Sequence, residues 1–145
     1  MEYNLPTGVG FLAMMSKNSL ILVKEAFNEE PLDGGAAKIK ELDSQIFDNM
    51  RTVGIRPNWK NMEADWVITA NSIYYINPNL GKAGCYHFPF SEWGLVFGRN
   101  RAYGLGKKFA SLKIINRQDS NLSYNLKTSN SAQLNISYIF NKFEN

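Results

Sequence analysis

The chain has a single cysteine, Cys85, and a single histidine, His87, among 145 residues. One cysteine rules out an intrachain disulfide and a cysteine-based zinc site. One histidine leaves any metal site to carboxylates, and no clustered carboxylate motif stands out, so neither a metal nor a cofactor is expected. A long apolar run is missing too. The longest near the start, GVGFLAMM (residues 8–15), follows acidic Glu2. A signal peptide needs a basic start and a small-residue cleavage site, and a membrane helix needs about twenty apolar residues. The expectation is a cytoplasmic protein without a transmembrane segment.

What is present fits one domain with a real core. Apolar residues make up 44% of the chain and charged ones 20%, ordinary values for a folded domain. The net charge of +3 is unevenly placed. Between Glu92 and Asp119 no acid occurs, whereas Arg99, Arg101, Lys107, Lys108, Lys113 and Arg117 do. This basicity is local.

The first third reads as helical. GFLAMMSKNSLILVKEAFNEE (10–30) follows Thr7, a candidate N-cap, and presents Phe11, Leu12, Met15, Leu22, Val23 and Ala26 as a wide apolar face. PLDGG breaks the chain, and AAKIKELDSQIFDNMRTVG then repeats Ile39, Leu42, Ile46, Met50 and Val53 at helical steps before Gly54. The expectation is a helical hairpin over residues 1–58. From about residue 64 the period changes to two. DWVITANSIYYI reads as a hairpin, and CYHFPF sets Tyr86, Phe88 and Phe90 against Cys85 and His87. WGLVFG, RAYGL and KFASLKII follow, then LSYNLKT with Leu122, Tyr124 and Leu126 inward. The tail returns to helical spacing at Ile136, Ile139, Phe140 and Phe143, with Ser131 as the cap.

Taken together, WVITANSIYYINP, YHFPFSEW, SLKIIN, LSYNL and the closing amphipathic helix resemble bacterial PH-like and GRAM-like domains over residues 63–143. The most distinctive segment is FPFSEW, in which Trp93 departs from the Ile or Val more usual in the family. The resemblance implies an α+β fold: the N-terminal helical hairpin, then a PH-like antiparallel β-barrel over 59–145, capped by the C-terminal amphipathic helix. In relatives that bind phosphoinositides the basic cluster lies in the first hairpin loop. The turn taken to correspond here, Thr69–Ser72, is short and has no Lys or Arg. Closing a sheet on itself also removes exposed edges, which fits on physical grounds.

Nucleotide motifs fail. A phosphate loop ending at Gly106-Lys107 would need glycine where Arg101 stands and Ser or Thr where Lys108 stands. Gly104-x-Gly106 would need a small residue at Phe109. GVGFLA matches a dinucleotide fingerprint but lacks a βαβ frame. A hairpin with glycines at positive φ accounts for 98–108 without a ligand. Its Arg99, Arg101, Lys107 and Lys108, with Tyr103 interleaved, are candidate contacts for nucleic acid or an anionic phospholipid surface. Trp59 and Trp93 are candidate exposed anchors for a protein partner. Cys85 and His87 share a strand face, and a small enzyme built on them is the remaining alternative, without a third group to orient the pair. The reading is a non-enzymatic interaction module that binds another protein. A second copy of the chain, or an anion at the basic hairpin, is a further candidate partner.

Overall fold

The computed structural model describes residues 15–38, 42–46, 63–78, 80–103 and 107–143; for Lys38, Glu63, 99–103 and 107–109 it describes the backbone path alone. Two antiparallel sheets lie on these residues. The first has the order β1 (Pro31–Lys38), β2 (Glu63–Thr69), β3 (Ser72–Ile76), β4 (Cys85–Pro89). The second has the order β5 (Trp93–Tyr103), β6 (Lys107–Asn116), β7 (Ser123–Ser129). A helix, α1 (Lys17–Ile21), continues as a π-helical turn over Leu22–Ala26, and α2 (Asn130–Phe143) closes the chain. The architecture is therefore α+β.

The expected helical hairpin is corrected at its centre. Residues 31–38 form strand β1, which pairs with β2 from Pro31↔Thr69 to Lys38↔Glu63. PLDGGAAK looks like a break because Pro, Asp and Gly disfavour strands, but tertiary context outweighs that preference. Pro31 opens the strand, where a missing N–H matters least. Gly34 lets Met15 pack on the sheet: a Cβ there would lie 2.6 Å from the Met15 sulfur and 2.8 Å from the Trp66 carbonyl oxygen. Of the second helical stripe, Leu42 and Ile46 are described. Ile46 is fully buried in the main core with Leu42 beside it, and the Asn125 N–H of β7 donates to Asp43 at 2.7 Å. The connection between β1 and β2 thus covers part of the free edge of β7. It also makes β1–β2 the first hairpin of the sheet, so the turn Thr69–Ser72 belongs to the second.

The rest of the period-two reading is found in place. Residues Trp66, Ile68, Ile73, Tyr75, Phe88, Leu95, Leu112, Ile114 and Leu126 face one core, which α2 completes with Ile136, Ile139 and Phe140. Burying each of those three contributes roughly 1.5–3 kcal/mol before entropy is subtracted. The FPFSEW segment is the corner between the sheets. Phe90 turns inward onto Phe140 with ring centres 4.9 Å apart, its N–H donates to Asn71, and Arg117 Nε donates to its carbonyl at 2.8 Å. Details differ at three places. Ser129, not Ser131, caps α2 by accepting from the Ala132 N–H. Leu122 is exposed, because β7 begins one residue after it. Gly98 lies within β5 beside a bulge, where a Cβ would collide with Ser111; space rather than positive φ is what it supplies.

The first sheet is covered on its other face as well. Val67, Tyr74 and Ile76 form a second core with Met15 and Val23, and β3 is buried along its whole length. Ser16 caps α1, since its Oγ accepts from Asn18 N. Asp65 of β2 accepts from Ser16 N and from Ser19 Oγ, fixing the helix to the sheet. Thr7, Phe11 and Leu12 lie outside the described residues, and Ala26 is exposed rather than part of the buried face. On the opposite face the buried Asp33 carboxylate of β1 accepts from Asn135 Nδ2 of α2 at 2.9 Å. Replacing that amide (Asn135→Ala) removes a buried, charge-assisted bond and is expected to cost about 1.5–3 kcal/mol. Urea unfolding of the variant beside the parent checks it, and an unchanged midpoint would show that the contact between α2 and β1 contributes nothing.

Candidate functional site

The richest polar cluster lies where α1 ends over the outer face of the first sheet. Asn28 takes a left-handed conformation, φ 52°, which Asn tolerates at a helix C-terminus. Glu29 N–H then donates back to the Val23 carbonyl at 3.1 Å. This termination directs the Glu29 carboxylate down onto the β2–β3 turn. Thr69 Oγ1 donates to Glu29 Oε1 at 2.6 Å, and the same oxygen accepts the Asn71 and Ser72 amides. Ser72 Oγ donates to Glu29 Oε2 at 3.2 Å and lies 2.9 Å from His87 Nε2. His87 Nε2 is itself 3.8 Å from Glu29 Oε2.

A serine hydroxyl has one proton. Both contacts are satisfied together when that proton is directed to Glu29 and Nε2 of His87 carries the hydrogen that Ser72 accepts. The imidazole is stacked flat on Tyr74, with ring centres 4.5 Å apart and planes 5° from parallel, and Phe27 closes over it at 4.7 Å. Burial pushes the His87 imidazole below its ordinary value, while Glu29 and then Glu92 pull it back up. The Tyr74 hydroxyl is buried without a well-formed hydrogen bond. Burial first, and the neighbouring Glu29 carboxylate second, push its phenol far above the usual tyrosine range.

Read as chemistry, this is not a hydrolytic triad. A triad needs the serine proton aimed at the histidine and the carboxylate on the other ring nitrogen. Here the Glu29 carboxylate stands by the same nitrogen that meets Ser72 Oγ and not by the other one, and Ser72 is completely buried. Cys85 shares the outer face with His87, but burial pushes its thiol up to about 12, so at neutral pH it is protonated and a poor nucleophile. Among the described residues no group of three His, Cys, Asp or Glu side chains is placed to hold a metal ion.

The residues singled out in the sequence do not converge. Trp93 is half-buried against Phe88, at 4.9 Å and 79° between rings, and against Tyr124, so it is a wall of the core as much as a surface anchor. Trp59 lies outside the described residues. Strand pairing of Arg101 with Phe109, Ala102 with Lys108 and Tyr103 with Lys107 brings these backbones to one end of the second sheet, with Arg99 at the bulge. The hairpin is present, and the phosphate-loop alternative finds no frame in it. Glu29, Thr69 and Ser72 were not anticipated, since nothing local in Asn-Glu-Glu or Thr-Ala-Asn-Ser marks side chains that meet across 40 or more positions.

No family model, no curated protein and no solved structure matches the chain. Its geometry alone bears on function.

The raised Cys85 thiol gives a first expectation. Labelling of the folded protein with a maleimide at about pH 8 should be at least tenfold slower than labelling of the urea-unfolded chain, because thiolate is scarce in the folded form. Equal rates would contradict the buried environment described above.

Proposed function

We propose that the chain is a cytosolic PH-like module that binds another protein and catalyses no reaction itself. The observation that supports it best is the strand order, four antiparallel strands followed by three, with the C-terminal helix filling the space between the two sheets. The resemblance implies one sheet closed into a barrel, whereas the described residues form two separate antiparallel sheets, with β1 supplied from residues 31–38 rather than from the segment after residue 63. The protonated Cys85 thiol and the buried Ser72 argue in the same direction. Among the described residues no helix is long and apolar enough to cross a membrane. Fold does not choose a partner, so the surface has to.

The surface that suits a protein partner runs along β5 and α2. Gln133 fastens the start of α2 to β5 and β6 by donating to the carbonyls of Gly98 and Ser111. One turn apart on the outer side of α2, Leu134 is 55% and Tyr138 36% exposed. Large apolar side chains presented side by side on a rigid helix are the usual anchors of an interface. The double variant Leu134→Glu, Tyr138→Ala should keep its melting temperature within a few degrees and lose at least tenfold in affinity for a partner isolated on the parent protein. Undiminished capture by the variant would place the interface elsewhere, and failure to isolate any partner would count against the binding role.

A second reading has its own observation. On the outer face of the second sheet β6 and β7 place Ser111 beside Lys127 and Lys113 beside Asn125, and the sequence from Trp93 to Gln118, which supplies β5 and β6, holds no acid. Such a face attracts anions, and this attraction weakens with salt. If it is the working surface, retention on heparin or RNA should fall steeply as salt rises from about 50 to 200 mM, and Lys113→Glu should weaken it further. No retention at low salt removes this reading.

A further inference from the structure

Among the described residues, the outer face of the first sheet is covered by one short piece of chain. Residues 17–30 lie over Val67, Tyr74, Ile76 and Cys85. At the start this piece is tied by Asp65 to Ser16 and Ser19. At its end it is tied by Phe27 and Glu29, and both of these meet His87: Phe27 covers the ring, and Glu29 receives the relay that runs from His87 through Ser72.

We propose that His87 is a proton-operated catch. With its imidazole neutral, residues 17–30 are closed on the first sheet, and protonation loosens their C-terminal end. The neutral ring suits its place. Its flat stack on Tyr74 and the tilted ring of Phe27 keep water from most of the side chain, 28% of which stays exposed, and its Nε2 lies 2.9 Å from Ser72 Oγ. A second proton makes a cation whose hydration is obstructed by those two rings.

The groups facing the ring set the balance. Glu29 from the connection after α1, and Glu92 from the corner after β4, favour the cation. Tyr74 and Ser72 of β3 and Cys85 of β4 present neutral groups at neutral pH. Lys82 holds its ammonium 5.7 Å from the centre of the Phe27 ring, adding positive charge to this end of the cover. Burial outweighs the carboxylates, so the closed form binds the proton less well than an open form in which the ring meets water and titrates near about 6.5. A proton bound more weakly by the closed form shifts the balance toward the open one as pH falls below that value. Opening uncovers Cys85, so the position of residues 17–30 can be read from the chain's single thiol.

Two measurements on the full chain test this. His87 is the only histidine, so its ring proton signals titrate alone in an NMR spectrum. The midpoint should lie below about 6.5 and move lower still in Glu29→Gln, which removes the larger attraction. Independently, Cys85 labelling, expressed relative to the urea-unfolded chain at the same pH, should rise on the order of threefold or more between about pH 7.5 and 5.5. In His87→Gln this ratio should be flat. A midpoint at or above the ordinary value, a midpoint unmoved by Glu29→Gln, or an equal acid-induced rise in His87→Gln would each overturn the proposal. The NMR titration of the unmodified protein decides the matter even where a variant folds poorly.

Discussion

Burial of β3 on both faces is the constraint on which the rest of this structure depends. Ser72, Ile73, Tyr74, Tyr75 and Ile76 are all buried, so the first sheet needs a layer on each side. Toward the inside, Ile73 and Tyr75 meet the second sheet and α2. Toward the outside, Tyr74 and Ile76 would be left in water without the N-terminal helix and Phe27. A strand of such composition is usual in a sheet covered on both faces and rare in an antiparallel sheet with one wet side. The N-terminal helix is therefore part of the fold, although the family resemblance lay entirely beyond it.

The two layers use different chemistry. On the inner side the fit is mostly apolar, and the polar bond between Asp33 and Asn135 fixes where α2 lies over β1. The outer layer is smaller, and it is held at its two ends by side-chain oxygens, those of Asp65 at one end and Glu29 at the other. A small apolar contact with polar ends is the kind of element that opens locally at a free energy below that of global unfolding. Its response to protons follows from which groups those ends use.

How much of this was legible depends on the distance over which each signal acts. Strands β2 through β7 were visible because period-two alternation is local: Leu112 and Ile114 against Ser111 and Lys113 announce a face without reference to anything else. α2 was visible for the same reason. β1 was hidden because its residues, PLDGGAAK, lack strand preference and become a strand only through pairing with β2, about thirty residues later. The role of Gly34 likewise depends on Met15, and that of Gly98 on Ser111, neither of which a sequence places nearby. The polar cluster was half legible. Cys85 and His87 were rightly set on one face, but the group that orients His87 arrives from residue 29, and a carboxylate in Asn-Glu-Glu reads as one more solvated charge.

That missing group changes what His87 means. A histidine and a cysteine on one strand suggest a nucleophile and its base, and the pair then waits for an acid to complete it. The structure supplies the acid, yet in the wrong place for acyl transfer. Glu29 accepts from Ser72 and stands by the same ring nitrogen that meets Ser72, so it does not orient the ring from Nδ1 as the acid of a triad does. Nor does Cys85 suit the part of nucleophile, because burial raises its thiol to about 12. The bonds among Glu29, Thr69 and Ser72 hold residues 27–30 against the turn between β2 and β3. Such an arrangement positions a segment of chain, so the cluster bears on the mobility of the cover, and the search for a binding surface turns to β5 and α2.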